Sequence, residues 1–332
     1  MTINHYSPPQ TTKEPLDYAD LPIIDLSKSP RPDEVREAME THGFFYVVGH
    51  GLSPTGNRRI FDIADLAFAS VSDDEKRQYE GKIQQTGSYQ GYKLRKFWVV
   101  NRDTTKRQHP EAIRPHLAEI EAFARHNHLN VLHPILRLLA LGLGLPEDAL
   151  VDLHGYSSVG ESYGEVYPHS SEDEEKTNGV WTKGHTDIGS ITILYSQPVA
   201  ALQILTSSGE WKWVRHLENA LGHIVLRFIG IFLFLPRESL SDSSCSVFQP
   251  PKDQRGYTRL GVFYFCMPDD NVKLLPLVAP KVRRFVDADA PTMEEWRKGR
   301  TAAYGNSQLK KAEGEERIEE EFINGVVVKH YN

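Results

Sequence analysis

Cysteine is nearly absent from this chain. Only Cys245 and Cys266 among 332 residues carry thiols. That excludes a disulfide scaffold and makes a reducing, cytoplasmic compartment the default expectation. Long hydrophobic runs are missing too. The greasiest stretch, Ile224 to Leu235, is too short to span a bilayer and contains Arg227, so membrane insertion is not expected. The opening residues, MTINHYSPPQTTKEPLDYAD, hold no apolar segment of the kind a secretory leader needs. Positive charge is in deficit: the net charge is -7, which argues against a general nucleic-acid binder. Internal repeats and low-complexity tracts are absent. What remains is the composition of a globular protein, long enough for one large domain or two ordinary ones.

Residues 1–20 are polar and contain prolines, which predicts a loose arm. LPIIDLS reads as a short strand. RPDEVREAMETHG follows, with Val35, Ala38 and Met39 at helical spacing and Gly43 as a stop. FFYVVGHG is a second strand. Ile60, Ile63, Ala64, Ala67 and Phe68 form one stripe of an amphipathic helix, and Ser72 with Glu75 three residues on forms an N-cap for the next. A long helical region runs from about Pro115 to Leu145, which Pro134 should kink or split. From Ser157 onward, short runs rich in Val, Ile, Tyr and Phe alternate with turns, among them the hairpin candidate TSSGEW. The EDEEK run at Glu172 predicts an exposed loop. The last forty residues return to charged, helix-like sequence. The divisions expected are an arm at 1–20, a helix-rich region at 21–156, a β-rich core at 157–280 and a helical segment at 281–332. The class is α+β, with helices flanking a sandwich or barrel.

The stretch KGHTDIGSITIL, Lys183 to Leu194, places His185 and Asp187 two residues apart before a β-branched run. Side chains at i and i+2 point to one face of a strand. An imidazole and a carboxylate side by side make up two-thirds of a common non-haem iron site. Taken alone, the same residues also suit a histidine capping a turn after Gly184 and an aspartate bonding local backbone.

In order along about Leu21 to Leu275, the segments LPIIDLS, HGFFYVVGHGL, GHTDIGSITIL, ALQILTSSGEWKWV and QPPKDQRGYTRLGVFYF resemble the iron(II)- and 2-oxoglutarate-dependent dioxygenases. The nearer relatives are the isopenicillin N synthase-like branch, which in fungi often serves secondary metabolism. The resemblance implies a double-stranded β-helix (jelly roll) core with flanking N-terminal helices. It implies Fe(2+) as cofactor, 2-oxoglutarate as co-substrate, and hydroxylation, desaturation or cyclisation of a small natural product. By motif, His185 and Asp187 look like iron ligands. Arg259 looks like the residue that pairs with the distal carboxylate of 2-oxoglutarate, a task suited to a planar guanidinium. Arg255, four residues earlier, is the runner-up. Tyr167, before Pro168, matches a tyrosine that often helps hold 2-oxoglutarate.

The sequence also departs from that family's pattern. A histidine should stand just ahead of QPP as the third iron ligand, but DSSCSVFQPP places Cys245 there. A thiolate can bind iron, although it is softer and alters the charge and potential of the site. The preferred reading makes Cys245 an ordinary small residue. The serine usual two positions after the arginine is Gly261, and the asparagine sometimes found two before the tyrosine is Glu165. Gly222 to Ser246 lacks the expected Gly-Asp turn and polar loop, and two other loops look shortened. An incorrect gene model or a decaying gene would account for all three, and re-reading the genomic DNA around those codons tests this. His216 and His223 match no motif position, and His126, His128 and His133 do not share one helix face. Three functions stay open: an iron/2-oxoglutarate oxygenase, a pseudoenzyme or binding module on the same fold, and a non-oxidative enzyme using His185 as acid or base. The partner expected is a small-molecule substrate, with no nucleic acid and no membrane; oligomeric state is not legible.

Overall fold

The computed structural model describes residues 5–331, except 83–84, 86–90, 94–95, 99–106, 157–161, 167–170, 227–243, 276, 278–289, 304–308, 313–314 and 325. In chain order the elements are β1 (Ile23–Asp25), α1 (Pro32–Thr41), β2 (Phe44–Val48), α2 (Pro54–Ala69), α3 (Asp73–Gln78), β3 (Gly91–Lys93) and β4 (Lys96–Trp98). Then come α4 (Leu117–His126), α5 (His133–Gly142), β5 (Ser162–Val166), α6 (Ser171–Thr177), β6 (Val180–His185), β7 (Ile191–Tyr195), β8 (Leu202–Leu205) and β9 (Trp211–Trp213). The chain continues with β10 (Leu221–Leu226), β11 (Cys245–Phe248), β12 (Arg259–Cys266), α7 (Met293–Ala303), β13 (Lys310–Ala312), β14 (Glu315–Ile323) and β15 (Val326–Tyr331). No helix among the described residues is long and apolar enough to cross a membrane.

The strands form two sheets, ordered β1-β2-β10-β7-β12-β5-β4-β3 and β13-β14-β15-β6-β11-β8-β9. This is the jelly roll expected from the sequence. β1 runs parallel to β2, and β2 is antiparallel to β10. Strands from the helix-rich region therefore extend the sheet of the β half, and the boundary near residue 156 does not separate two bodies. Alternation along each strand sorts side chains into two cores. On β12, Leu260, Val262, Tyr264 and Cys266 join the larger cluster, shared with the helices. Phe263 joins a second cluster with Phe44, Tyr46, Leu194, Leu202, Ile204, Cys245 and Val247. That second cluster comes from both sheets and fills the space between them. Arg259 has the parity of Phe263 and so faces the same interior.

Most helix signals hold. Ser72 Oγ accepts from the Glu75 backbone N–H at 3.2 Å, and Gly43 takes the left-handed conformation that ends α1, at φ 67°. The long helical region is continuous, with a π-helical turn at Asn127–Leu132 between α4 and α5. Pro134 has no N–H to offer the carbonyl four residues back, and a wider turn just ahead of it relieves the ladder without a break. The EDEEK run, expected as an exposed loop, is helical instead, as α6, with Lys176 Nζ 2.7 Å from Glu172 Oε1 across one turn.

Two further expectations are corrected. The tail at 281–332 is helical over α7, but β13, β14 and β15 follow it. The signals outweighed by the charge pattern were three successive valines, Val326 to Val328, and the turn residue Asn324 at φ 46°. The arm at 1–20 is not loose where it is described. The buried Asp62 carboxylate accepts the Tyr6 backbone N–H at 2.8 Å, and His5 Nδ1 lies 2.8 Å from its other oxygen. Asp253 receives Thr12 Oγ1 at 2.7 Å and the Lys13 backbone N–H at 2.8 Å. The buried Gln254 amide donates to the Gln10 and Pro198 carbonyls. Polar, Pro-containing sequence is tied down here by side chains far along the chain, which local composition cannot reveal. Asp62→Ala is expected to strand the Tyr6 amide and release the arm, at about 1–3 kcal/mol. Limited proteolysis should then cleave ahead of residue 20 well before the core, and equal resistance of wild type and variant would contradict the tie.

Candidate metal and co-substrate site

β6 delivers His185 at its last residue. In the β6–β11 pair, His185 lies opposite Cys245 and Thr182 opposite Val247. Lys183 and Gly184 together oppose Ser246, a β-bulge that keeps both His185 and Thr182 on the interior face. Gly184 is required by close approach. A Cβ there would lie 2.7 Å from Tyr331 Cβ and 2.8 Å from the Trp211 ring.

The imidazole is oriented from behind. His185 Nδ1 is 2.8 Å from the Lys183 carbonyl. A carbonyl can only accept, so Nδ1 carries the proton and Nε2 presents its lone pair, the arrangement typical of a metal-binding histidine. His185 Nε2 lies 3.5 Å from Asp187 Oδ1. The other Asp187 oxygen accepts from Thr192 Oγ1 at 2.7 Å, on the inward side of β7. Two donors each about 2.1 Å from one cation, at roughly a right angle, stand about 3 Å apart. The pair thus fits adjacent positions on a single ion.

The loop carrying Asp187 is fixed at several points. The Ser190 backbone N–H donates to the Cys266 carbonyl at 2.8 Å, an approach so close that a Cβ on Gly189 would meet that oxygen at 2.3 Å. Ser190 Oγ is 2.8 Å from Nε2 of the fully buried His154, whose Nδ1 reaches the Leu150 carbonyl at 2.6 Å. From α7, Trp296 Nε1 donates to the Ile188 carbonyl and an Arg300 N–H to the Thr186 carbonyl. Sequence reasoning missed Trp296 and Arg300. Their only local signal was helical spacing in a charged tail.

Arg259, the first residue of β12, is 3% exposed. Its Nε has no hydrogen-bond partner among the described residues. Burial pushes the guanidinium down to about 10, opposed by the nearby Tyr6 and Cys245 side chains, so it stays charged at neutral pH. A buried cation with an unused donor suits an anion. Arg259 borders a small, partly open cleft lined also by Leu194, Leu202, Val214, Ser196 and His216. Arg255 is exposed, which decides between the two arginines on environment. His216 Nδ1 is 2.8 Å from Ser196 Oγ, and burial pushes this imidazole down.

Cys245 stands across from His185 and packs into the inter-sheet cluster. Among the described residues no group of three His, Cys, Asp or Glu side chains is placed to hold a metal ion, so Cys245 does not complete a triad with His185 and Asp187. The reason is reach: a thiol sulfur sits one bond beyond Cβ, an imidazole Nε2 three. Tyr167 lies outside the described residues, as do residues 227–243 of the anomalous segment, while β10 and β11 on either side of it pair within the sheets. His128 is a packed core residue, 2.9 Å from Tyr264 Oη and 3.0 Å from the His154 carbonyl.

Residues 21–115 match the family described as non-haem dioxygenase in morphine synthesis, N-terminal. Jasmonate-induced oxygenase 3 of Arabidopsis thaliana is 26% identical over 310 residues, covering 87% of this chain and 80% of that one. The 2-oxoglutarate-Fe(II) type oxidoreductase hxnY of Emericella nidulans is 24% identical over 295 residues, covering 77% and 82%. A full-length Neurospora crassa protein crystallised with alpha-KG and 5-formyluracil superposes with a TM-score of 0.74 at 17% identity, covering 87% of this chain and 99% of that one.

Proposed function

We propose that this chain, similar over most of its length to a 2-oxoglutarate-Fe(II) type oxidoreductase and matching a non-haem dioxygenase family model over residues 21–115, catalyses the iron(II)- and 2-oxoglutarate-dependent oxidation of a small natural product, in the cytoplasm. The observation that carries this reading is the convergence of three groups on one interior: His185 Nε2 and Asp187 Oδ1, 3.5 Å apart, and the buried guanidinium of Arg259 with its unused Nε.

In this reading His185 and Asp187 hold ferrous iron, and Arg259 holds the distal carboxylate of 2-oxoglutarate. When bound, the iron supplies activation of dioxygen coupled to decarboxylation of the co-substrate. The chain's own contribution is orientation. The Lys183 carbonyl fixes the tautomer of His185, Thr192 fixes the rotation of the Asp187 carboxylate, and Arg259 sets the register of the co-substrate through a directional charge-assisted contact. Phe44, Phe263, Leu194 and Val214 give the interior an apolar wall, which excludes water and favours a largely apolar substrate. Hydroxylation, desaturation and cyclisation all remain within this chemistry.

The test is co-substrate turnover. Purified protein supplied with ferrous iron, 2-oxoglutarate and oxygen is expected to form succinate, and to form none when iron or oxygen is withheld. Substrate turnover that persists without iron would contradict the reading and support a non-oxidative enzyme built on His185.

A further inference from the structure

We propose that His216, held by Ser196, is a second anchor for the carboxylate that Arg259 binds, so that the anion sits between a guanidinium on one wall of the cleft and an imidazole on the other. The inference rests on the reading of Arg259 above and deepens it, and no metal enters it.

Three observations carry it. First, Arg259 of β12 and His216, which follows β9, line the same small cleft, with Leu194, Leu202 and Val214 as its apolar lining. Arg259 is 3% exposed, and its Nε has no hydrogen-bond partner among the described residues. A buried cation with a donor to spare is satisfied by an anion, and a cleft of this size suits one carboxylate end rather than a whole substrate. Second, His216 is aimed. Ser196 Oγ accepts the Leu217 backbone N–H at 3.2 Å and lies 2.8 Å from His216 Nδ1. Among the described residues Nδ1 is the one acceptor within reach of the hydroxyl proton, so Ser196 donates and Nδ1 accepts. The ring proton then sits on Nε2, and the neutral imidazole offers an N–H to the cleft. Third, the other polar side chains there are committed elsewhere. Gln197 closes on Val199, accepting its N–H and donating to its carbonyl, each at 2.9 Å. Arg215 is exposed, with Cζ 4.3 Å from the centre of the Tyr18 ring. Gly261, two residues along β12 on the face of Arg259, carries no side chain. Of the roughly four lone-pair sites on a carboxylate, the guanidinium fork takes two and His216 a third.

The pairing makes binding depend on pH. Burial pushes the His216 imidazole down, opposed by Glu218, so it is a neutral donor at neutral pH. A carboxylate within about 4–6 Å favours the charged ring and raises its pKa by about one unit or more. The protonated protein then binds the anion more tightly. Affinity rises as pH falls through the value of the complex and levels off below that of the free protein, by about tenfold for each unit between them. The charged or titratable groups around His216 are Arg215 and Glu218 beside it in the chain, Arg259 from β12, Tyr18 from the arm, and Tyr46 of β2, whose Oη donates to the Arg215 carbonyl at 2.8 Å. Burial pushes Tyr46 up to about 12. Ordinary carboxylate, phenol and guanidinium values lie outside the window of about pH 5 to 8, and that of imidazole lies inside it.

The test uses the full-length chain, kept metal-free by a chelator, with 2-oxoglutarate and with glutarate, which has the same chain and lacks the keto group. Wild type, His216→Phe, Ser196→Ala and Arg259→Gln are compared by thermal melting and ligand-observed NMR, to tens of millimolar anion, between about pH 5.5 and pH 8. Imidazole-nitrogen NMR of wild type reads the tautomer and titration of His216. Wild type is expected to bind both anions, and His216→Phe to bind about tenfold or more weakly at the acid end. Other imidazoles titrate in the same window, so the expected loss of about tenfold in pH dependence between wild type and His216→Phe is what reports His216. Ser196→Ala, which frees the tautomer, should fall between the two. In wild type Nε2 should carry the proton, and ligand should move the His216 titration up by about one unit. Equal affinity and pH dependence in His216→Phe, a proton on Nδ1, or a titration that ligand does not move overturns the inference, and a loss of binding confined to Arg259→Gln then leaves the reading of Arg259 intact. The NMR readings need no variant, so they decide the matter even where a substitution prevents folding. No binding of either anion by wild type overturns both.

Discussion

Arg259→Gln is expected to weaken 2-oxoglutarate binding by about 100-fold or more while leaving ferrous-iron affinity within twofold. A hydrogen bond to a charged group contributes about 1.5–3 kcal/mol, and a guanidinium–carboxylate pair makes two in parallel. Each 1.4 kcal/mol is tenfold in affinity. Stability should move the other way. Arg259 is buried, and its Nε lacks a partner among the described residues. Replacing an under-compensated buried charge with a neutral group of similar size is neutral or stabilising by about 1–4 kcal/mol. The variant without ligand should therefore melt no lower than wild type, and 2-oxoglutarate should protect wild type but not the variant. Arg259→Lys keeps the charge and loses the fork, so it should fall between the two. Calorimetric titration and thermal melting with and without co-substrate read both effects. An unchanged co-substrate affinity in Arg259→Gln would remove Arg259 from the site.

His185→Ala and Asp187→Ala are expected to abolish succinate formation, with a loss exceeding about 1000-fold, because each removes one of the two donors that stand ready for the metal among the described residues. The change should lie in metal retention rather than in folding. His185 is partly exposed and Asp187 sits in a loop end, so neither supports the core. Thr192→Val is the subtler variant. It removes the hydroxyl that fixes Asp187 at 2.7 Å and preserves shape, and it should cost about 10- to 100-fold in metal affinity. Metal content after dialysis, measured beside succinate yield, separates loss of iron from loss of chemistry. Full iron retention by His185→Ala would show that the imidazole is not a ligand.

How much of this was readable without coordinates varies by element. The strand pattern around His185 and Asp187 was legible because period-two alternation and a β-branched run are local properties. Arg259 was legible as a candidate, but its advantage over Arg255 is burial, which depends on the register of β12 against β5 and β7. That Cys245 stands where the third ligand is expected followed from motif order, while its place opposite His185 comes from the register of β11 on β6. That the thiol does not complete a metal site is a matter of side-chain length across two strands, which spacing along the chain does not encode. The hold of Trp296 and Arg300 on the His185–Asp187 loop was invisible, since it joins residues about a hundred positions apart. The same holds for the arm, whose order depends on Asp62 and Asp253. The C-terminal strands were misread for a different reason: dense Glu and Lys outweighed the valine run and the Asn324 turn.

The most direct measurement is the anaerobic visible spectrum of the protein with ferrous iron and 2-oxoglutarate. A metal-to-keto-acid charge-transfer band forms only when both are bound to each other in one site. The band is expected in wild type, at saturating iron, and is expected to be lost in His185→Ala and to require far more 2-oxoglutarate in Arg259→Gln. Absence of the band in wild type at any concentration, or its persistence unchanged in both variants, would contradict a site built from His185, Asp187 and Arg259.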